Sequence, residues 1–499
     1  MIRFTPLSAT GPKQAAVLLL AVLLMLYGSA PRFAAASGNQ LPSLGDASSS
    51  LVSPEMERRI GEAFLKQLHA SVPISDDLLL QAFVEKEMSA LMQHSELTDG
   101  LQSVLVVNRP DINAFAAPGG IIGINSGLFI YAQDFEEYSS VVAHEMAHIS
   151  QRHFARGLAA QKAATLPTLV GMVAAILVGA AGGSDAALAA MSTAQAAGQS
   201  KRLRFSRERE QEADRIGINT MQRAGLNPDA MARMFERMQR AYRFSSRLPE
   251  FLLTHPISES RITDARDQAR DGFAVSRAVA KPPEPQNSLY RMMQARVQLH
   301  FENSPVNGIR LYQKRYDDNP KDWVTGYGLA KAFSLGGQHE QAVELVRSIV
   351  NDIPSPIFAT LALAEILIDA ELYVEANELL TEQLLINPDN HPLDMMLARG
   401  LTAQNQHAEA VIIFAKQSKL RPLDTVVWFN LAEIAGLAGD ITQVHLARAE
   451  YFYLHGALQR AIQHLEYAQR LARGKNQQLV AKLGQRIQDL RTAIRMQKS

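Results

Sequence analysis

Four prolines recur at intervals of 34 residues in the C-terminal half of the chain, at Pro320, Pro354, Pro388 and Pro422. Three series of small or apolar residues keep the same step. They are Ala330, Ala364, Ala398 and Ala432; Leu329, Leu363, Leu397 and Leu431; and Ala342, Ala376 and Ala410. A repeated helix–turn–helix needs a small residue where its helices cross and a proline where the unit ends. An ordinary helical bundle does not easily place four prolines in phase, so an all-helical solenoid is predicted.

This period and spacing are typical of the tetratricopeptide repeat. Repeats are predicted over 289–475, beginning with a weak unit near Leu289 that has Gly308 in place of the alanine. The last unit is shifted by half a period, so one extra helix is expected before it. A polar capping helix is predicted for 476–499. Such an array builds a concave surface that binds peptides or protein partners.

Length and composition set broad limits. A chain of 499 residues exceeds what one hydrophobic core usually holds, so two or more domains are expected. Lysine plus arginine equals aspartate plus glutamate at 50 each, and this balance gives no reason to expect nucleic acid as a partner. The absence of cysteine removes any disulfide framework or lipid attachment to cysteine.

The N-terminus has the pattern of a secretory signal. Arg3 and Lys13 precede an apolar run over 15–27, and Ala34 and Ala36 form an A-x-A cleavage pattern. An uncleaved anchor is the alternative, but the run is shorter than the ~20 residues that a spanning helix needs. The predicted divisions are a signal peptide over 1–36 and a flexible lead-in over 37–53, and the predicted location is the periplasm of a Gram-negative bacterium.

The region 54–275 is predicted to be an α+β domain, mostly helical with a short sheet. Residues 55–69 have helical periodicity, while 103–108 and 121–124 have the β-branched character of strands. Three prolines within 282–285 argue against a continuous helix. A proline-rich linker is therefore predicted over 276–288.

His144, Glu145 and His148 form an H-E-x-x-H motif. Asp134 and Glu137 have the spacing of an N-terminal capping box, so the motif is predicted to lie on a helix. Residues four apart share a helix face, which lets both imidazoles reach one zinc ion. Glu145 then lies beside the position of a bound water and is predicted to act as the general base.

A catalytic zinc usually takes three protein ligands. The downstream sequence Glu210-Gln-Glu-Ala-Asp214 offers Glu210 as the third ligand. Asp214, one turn further on, is predicted to hydrogen-bond a ligand histidine. From spacing alone, these acids could instead be solvated side chains beside neighbouring arginines.

Four separated motifs carry a family resemblance: the H-E-x-x-H motif, Glu210-x-x-Ala-Asp214, Asn113 to Gly120, and Thr254-His-Pro256 with Arg261. In this order they resemble the HtpX and CAAX-prenyl-protease type of gluzincin. The resemblance implies one Zn²⁺ per chain on His144, His148 and Glu210, with Glu145 as the base. Those relatives are integral membrane proteins, and this chain departs from them because it lacks a set of spanning helices.

The same resemblance, taken with the signal and the repeats, implies a role in periplasmic quality control. The expected partners are unfolded or misassembled outer-membrane proteins and the barrel-assembly machinery. A second hypothesis makes the protein mainly a chaperone or binding module with a latent zinc site. Glu145 separates the two, since a purely structural zinc site needs no adjacent acid. An integral membrane protease acting on lipidated substrates is a third, weaker hypothesis.

Three features of the sequence each allow more than one interpretation. Residues 114–124 are either an edge strand that pairs with substrate or a simple turn around Pro118-Gly-Gly120. The apolar segment 166–182, within a stretch 157–200 of undecided role, could be a buried hairpin, a lid or a peripheral membrane contact. His255 precedes a proline and is expected in a loop. It is a donor to the oxyanion, a reversible fourth zinc ligand that keeps the enzyme latent, or a histidine with no catalytic part. We favour the latent form.

Overall fold

The computed structural model describes residues 52–160, 199–242, 250–273 and 284–498. The predicted signal peptide, almost all of the lead-in, and the apolar segment 166–182 lie outside these residues. None of the described helices combines the length and the apolar character needed to cross a membrane.

The N-terminal part consists mainly of helices with one small sheet, as predicted. Its elements are α1 (Pro54–Ser71), α2 (Leu78–Met92), β1 (Ser103–Val107), β2 (Ala114–Ala117), β3 (Ile121–Asn125), α3 (Leu128–Tyr131), α4 (Phe135–Ser150), α5 (His153–Ala160), α6 (Gln199–Arg223), α7 (Asp229–Tyr242), α8 (Glu250–Thr254) and α9 (Glu259–Phe273).

The strand order in the sheet is β1-β3-β2. β3 is parallel to β1 and antiparallel to β2, and all five of its residues are buried. The prediction of an edge strand over 114–124 is therefore right for β2 and wrong for 121–124. Gly119 and Gly120 have φ angles of 78° and 79°, and the turn that they make folds the chain back so that β3 becomes the central strand.

The C-terminal part is an array of helices. They are α10 (Glu284–His300), α11 (Pro305–Asp318), α12 (Trp323–Leu335), α13 (His339–Ile349), α14 (Pro356–Asp369), α15 (Tyr373–Ile386), α16 (His391–Ala403), α17 (His407–Leu420), α18 (Thr425–Leu437), α19 (Ile441–Leu454), α20 (Leu458–Ala472) and α21 (Gln477–Lys498), with a 3₁₀ turn at Val350–Asp352.

The in-phase small residues lie where these helices pack. From α11 onward each helix contacts the next, and Ala330, Ala364 and Ala398 are fully buried. In the first pair Gly308 is in phase with Ala342, Ala376 and Ala410, and an added Cβ there would lie 2.7 Å from Leu299 Cδ2. The solenoid is therefore confirmed, and an alanine at position 308 would require the end of the Leu299 side chain to move.

Helix α10 begins inside the predicted linker. Residues 284–288 are its first turn, so an extended linker over the whole of 276–288 is wrong for this last portion. Pro285 is tolerated there because the amides of a first turn have no acceptor within the helix.

The buried face of α10 completes the core of the N-terminal part. The Tyr290 ring lies 5.4 Å from that of Phe129 and 5.5 Å from that of Tyr138, centroid to centroid. Its hydroxyl donates to the backbone oxygens of Phe129 and Ala132 at 3.2 Å. The hydrophobic core therefore extends across the predicted domain boundary.

Partly buried ion pairs also join the two parts. Arg296 of α10 lies 2.8 Å from Asp77, which caps α2, and 2.6 Å from Glu365 of α14. Burial opposes the charge on Glu365, but Arg296 outweighs it and lowers the pKa of that carboxyl. Further along the solenoid, Arg421 donates to Glu85 of α2 at 3.0 Å. The solenoid is thus fixed against the N-terminal part at more than one place.

Candidate metal centre

Helix α4 carries the H-E-x-x-H motif and starts with the predicted cap. The Asp134 carboxylate accepts from the Glu137 amide at 2.8 Å, and the Glu137 carboxylate accepts from the Gln133 amide at 2.8 Å. The helix is buried from Phe135 to Ala147. A helix enclosed on all sides holds its side chains in fixed positions, which suits a metal site.

Helix α6 packs against α4 and brings Glu210 to the motif. The approach is close because Gly217 lies at the contact, where an added Cβ would be 3.2 Å from the His144 amide nitrogen. A Cβ at this distance would be tighter than ordinary van der Waals contact, so the glycine allows the two helices to lie close together.

Four predicted site residues come together. Single ligand atoms of His144, His148, Glu210 and His255 all lie within 4.8 Å of one another. The two motif histidines are 3.0 Å apart at Nε2, and His148 Nε2 is 3.5 Å from Glu210 Oε1. His255 Nδ1 is 3.0 Å from Glu210 Oε2. The cluster has the donor types and the spacing that a zinc ion requires.

Asp214 lies behind His144, as predicted, with Oδ1 2.9 Å from the histidine Nδ1. Arg261 donates to both oxygens of Asp214, at 2.7 and 2.8 Å, and lies 3.2 Å from Glu210. Glu210 and Asp214 are 5% and 6% exposed, so the alternative of solvated acids is wrong.

The electrostatics favour positive charge at this place. Burial alone would lower the pKa of His144, but Asp214 and Glu210 outweigh it and raise that pKa to about 10. Burial opposes ionisation of Asp214, but Arg261 and His144 lower its pKa below the ordinary value. A bound cation would take the place of the proton on His144.

Glu145 is fully buried, and neither carboxylate oxygen has a hydrogen-bond partner among the described residues. His255 Nε2 lies 3.6 Å from Glu145 Oε1. A buried carboxylate without a partner is costly, and such groups usually bond a water or an ion. The residues present therefore fit a metal with an adjacent water.

Sequence reasoning missed His153. Its Nδ1 lies 2.8 Å from His148 Nδ1, and its Nε2 lies 3.1 Å from Glu212 Oε2. The side chain is buried, and burial first of all lowers the pKa of His153 to about 4, so it is neutral at pH 7. The signal was a third histidine five positions beyond His148, but periodicity did not place it near the motif because a turn intervenes.

A cleft of about 1060 Å³ opens onto the cluster. Glu145, His148 and His255 line its inner end, and Phe64 of α1 and Phe115 of β2 line its walls. Among the described residues, no other strand pairs with the outer side of β2. An extended peptide fits a cleft of this size beside that strand.

Comparison with known proteins identifies the family. Residues 76–269 match the profile of peptidase family M48. The β-barrel assembly-enhancing protease of Escherichia coli (strain K12) is 30% identical over 455 residues, which cover 88% of each chain. This chain belongs to peptidase family M48. The matched residues 76–269 include all four clustered residues.

Other relatives extend the same comparison. A putative β-barrel assembly-enhancing protease of Vibrio cholerae is 29% identical over 456 residues, covering 90% of this chain and 92% of its own. Among solved structures, a tetratricopeptide repeat protein from Parabacteroides merdae aligns with 50% of this chain and 96% of its own, at 14% identity and a TM-score of 0.27. The M48 membership makes this chain a metallopeptidase.

Proposed function

We propose that this metallopeptidase is a zinc-dependent endopeptidase in which His144, His148 and Glu210 hold the metal. The observation that carries this proposal is the buried cluster of these ligands beside Glu145, a carboxylate without a hydrogen-bond partner among the described residues. Two histidines and one glutamate are a ligand set that catalytic zinc takes, with a further position left for water. When bound, zinc supplies the Lewis acidity that activates water and polarises the substrate carbonyl.

The chain's own residues handle the protons. Glu145 takes a proton from the attacking water and passes it to the leaving amine. Asp214 Oδ1 lies 2.9 Å from His144 Nδ1 and is proposed to hold the hydrogen on that nitrogen, which keeps Nε2 free for the metal. Arg261 holds Asp214 in place through two hydrogen bonds. The arrangement supports hydrolysis of a peptide bond held above Glu145.

The substrate is proposed to be an extended polypeptide that pairs with β2. Both walls of the cleft present apolar side chains, Phe64 and Phe115 among them. An unfolded chain offers backbone amides and apolar side chains together, whereas a folded surface does not enter such a cleft. The solenoid is proposed to dock the same client.

We place this activity in the periplasm, after removal of the signal peptide, on unfolded or misassembled outer-membrane proteins near the barrel-assembly machinery. The similarity to the β-barrel assembly-enhancing protease of E. coli, along most of both chains, supports this role. A chaperone or binding function for the solenoid is the second candidate, and its support is the large array of helices. Because the acid beside the histidines is retained and buried, peptidase activity is the preferred function.

Glu145→Gln tests the proposal, since glutamine is nearly isosteric but cannot accept the proton. We expect zinc content and melting temperature to stay unchanged while cleavage of an unfolded outer-membrane barrel protein falls by about 10²–10⁴-fold. Glu62→Gln, which changes a carboxylate of α1 with a 37% exposed side chain, is the matched control and should cleave normally. A zinc-loaded Glu145→Gln protein with full activity would contradict the proposed mechanism.

A further inference from the structure

The second metal histidine is held through another histidine. His148 presents Nε2 to the ligand cluster, and its Nδ1 lies 2.8 Å from Nδ1 of His153. On its other side, His153 Nε2 lies 3.1 Å from Glu212 Oε2. The same oxygen accepts a hydrogen bond from Arg156 at 2.9 Å. The contacts form a continuous chain from the metal site to a carboxylate.

We propose that His153 and Glu212 are positioning residues that hold His148 in the tautomer able to bind the metal. The inference rests on the proposed function, since it concerns the same zinc site. A neutral imidazole carries a hydrogen on one ring nitrogen only. For His148 to ligate through Nε2, that hydrogen must be on Nδ1, and it then needs an acceptor.

The Glu212 carboxylate fixes which atom donates in each of these hydrogen bonds. An ionised Glu212 only accepts, so the facing Nε2 of His153 carries the hydrogen and donates it. Nδ1 of the neutral His153 is then a bare acceptor, directed at His148 Nδ1. The hydrogen on His148 therefore stays on Nδ1, and Nε2 keeps its lone pair for the metal. Reversing any one of these bonds would put a hydrogen on the ligating nitrogen.

The other motif histidine is held without an intermediate. Asp214 lies 2.9 Å from His144 Nδ1, so one carboxylate orients that ring directly. Helix α6 thus supplies a ligand and both supporting carboxylates from one short stretch, at Glu210, Glu212 and Asp214. Glu212 lies on a different side of the helix from Glu210 and Asp214. His153 bridges the remaining distance to His148.

A strained turn places His153 there. Arg152 has a φ of 49°, which is uncommon for a residue with a side chain. Its guanidinium donates to Glu57 at 2.8 and 2.9 Å and to the Val52 backbone oxygen at 2.8 Å. These bonds to the start of α1 stabilise the reversal between α4 and α5. Through that reversal the buried His153 ring packs against His148, 4.9 Å away between centroids.

We call the series of contacts from His148 through His153 to Glu212 the relay. Two amide substitutions test it because each keeps a different one of its two contacts. Asparagine places an oxygen near the position of Nδ1, so His153→Asn keeps an acceptor for His148. Glutamine places its amide nearer the position of Nε2, so His153→Gln keeps only the contact with Glu212. His153→Phe keeps the ring and loses both contacts. The zinc dissociation constant is measured by chelator competition in full-length Glu145→Gln protein, which prevents self-cleavage.

We expect His153→Phe and His153→Gln to bind zinc about 10–100-fold more weakly than the parent, and His153→Asn to stay within about threefold. Melting temperatures of the metal-free proteins serve as the control for folding, and the Asn and Gln pair decides the outcome if the Phe variant does not fold. Equal zinc affinity in all variants, or equal losses for Asn and Gln, overturns the relay. A parent that binds no zinc overturns the proposed function itself, and the relay with it.

Discussion

At the scale of single residues, His255 lies closer to the metal ligands than its predicted position in a loop would require. Its Nδ1 is 3.0 Å from Glu210 and 3.4 Å from His144 Nε2, within the same cluster of ligand atoms. Phe251 supports it, with ring centroids 4.9 Å apart and a backbone hydrogen bond of 2.7 Å. This position favours a fourth ligand over an oxyanion donor, because the donor must face the substrate carbonyl and not the metal ligands.

His255→Ala is expected to keep zinc, because three protein ligands remain, and to raise basal proteolysis and self-cleavage. The measurement is the appearance of fragments of the purified protein over time, together with metal content. A fall in turnover of about a hundredfold, without more self-cleavage, would instead support the oxyanion role. Unchanged activity would reject both roles.

At the scale of elements, β2 has one paired and one open side. The Asn125 amide donates to the Asn113 oxygen at 2.9 Å, and hydrogen-bonded pairs alternate along an antiparallel ladder. By that alternation Phe115 and Gly123 form a hydrogen-bonded pair, as Asn113 and Asn125 do. Ala114 and Ala116 belong to the non-hydrogen-bonded pairs, so their amides face away from β3. Ala116 lines the cleft, so its backbone is placed to pair with substrate.

Ala116→Pro should lower cleavage of an extended peptide by about tenfold, since it removes one amide donor from the open side and proline is tolerated on an edge strand. Metal content and melting temperature should change little. Ala117→Pro is the matched comparison, and it should also destabilise the fold because that amide belongs to the β2–β3 ladder. Normal peptide cleavage by Ala116→Pro would argue against strand pairing as the mode of binding.

At the scale of the whole molecule, the solenoid and the metallopeptidase region share a core. Tyr290 is fully buried against Phe129 and Tyr138, although it lies beyond the predicted linker. Each large side chain that is uncovered costs about 1.5–3 kcal/mol, against a total stability of about 5–15 kcal/mol for a domain. Removing α10 is therefore expected to destabilise the whole N-terminal part.

A chain that ends at residue 280 should be less stable and hold less zinc than one that ends at residue 303, because only the longer piece retains α10. Melting temperature and metal content of the two purified pieces check this expectation. Equal values for both pieces would show that the core of the metallopeptidase region is complete without Tyr290.

The sequence by itself determined the features that follow from short-range periodicity. A spacing of four residues brings His144 and His148 to one helix face whatever surrounds the helix, and Glu145 necessarily lies beside them. The repeat of 34 residues likewise predicted the solenoid, since each unit contacts mainly its neighbours. In both cases the residues that interact are close in the chain.

Only the tertiary structure decided which distant residues meet. Spacing could not show that Glu210 and Asp214 are buried, because their exposure depends on how α6 packs against α4. The contact of His153 with His148 depends on a turn with positive φ, which has no periodic signature in the sequence. The helical start at Glu284 was obscured by its prolines, although a first turn tolerates them. Such contacts arise from packing between helices and strands that are distant in the sequence, and local residue patterns carry no information about that packing.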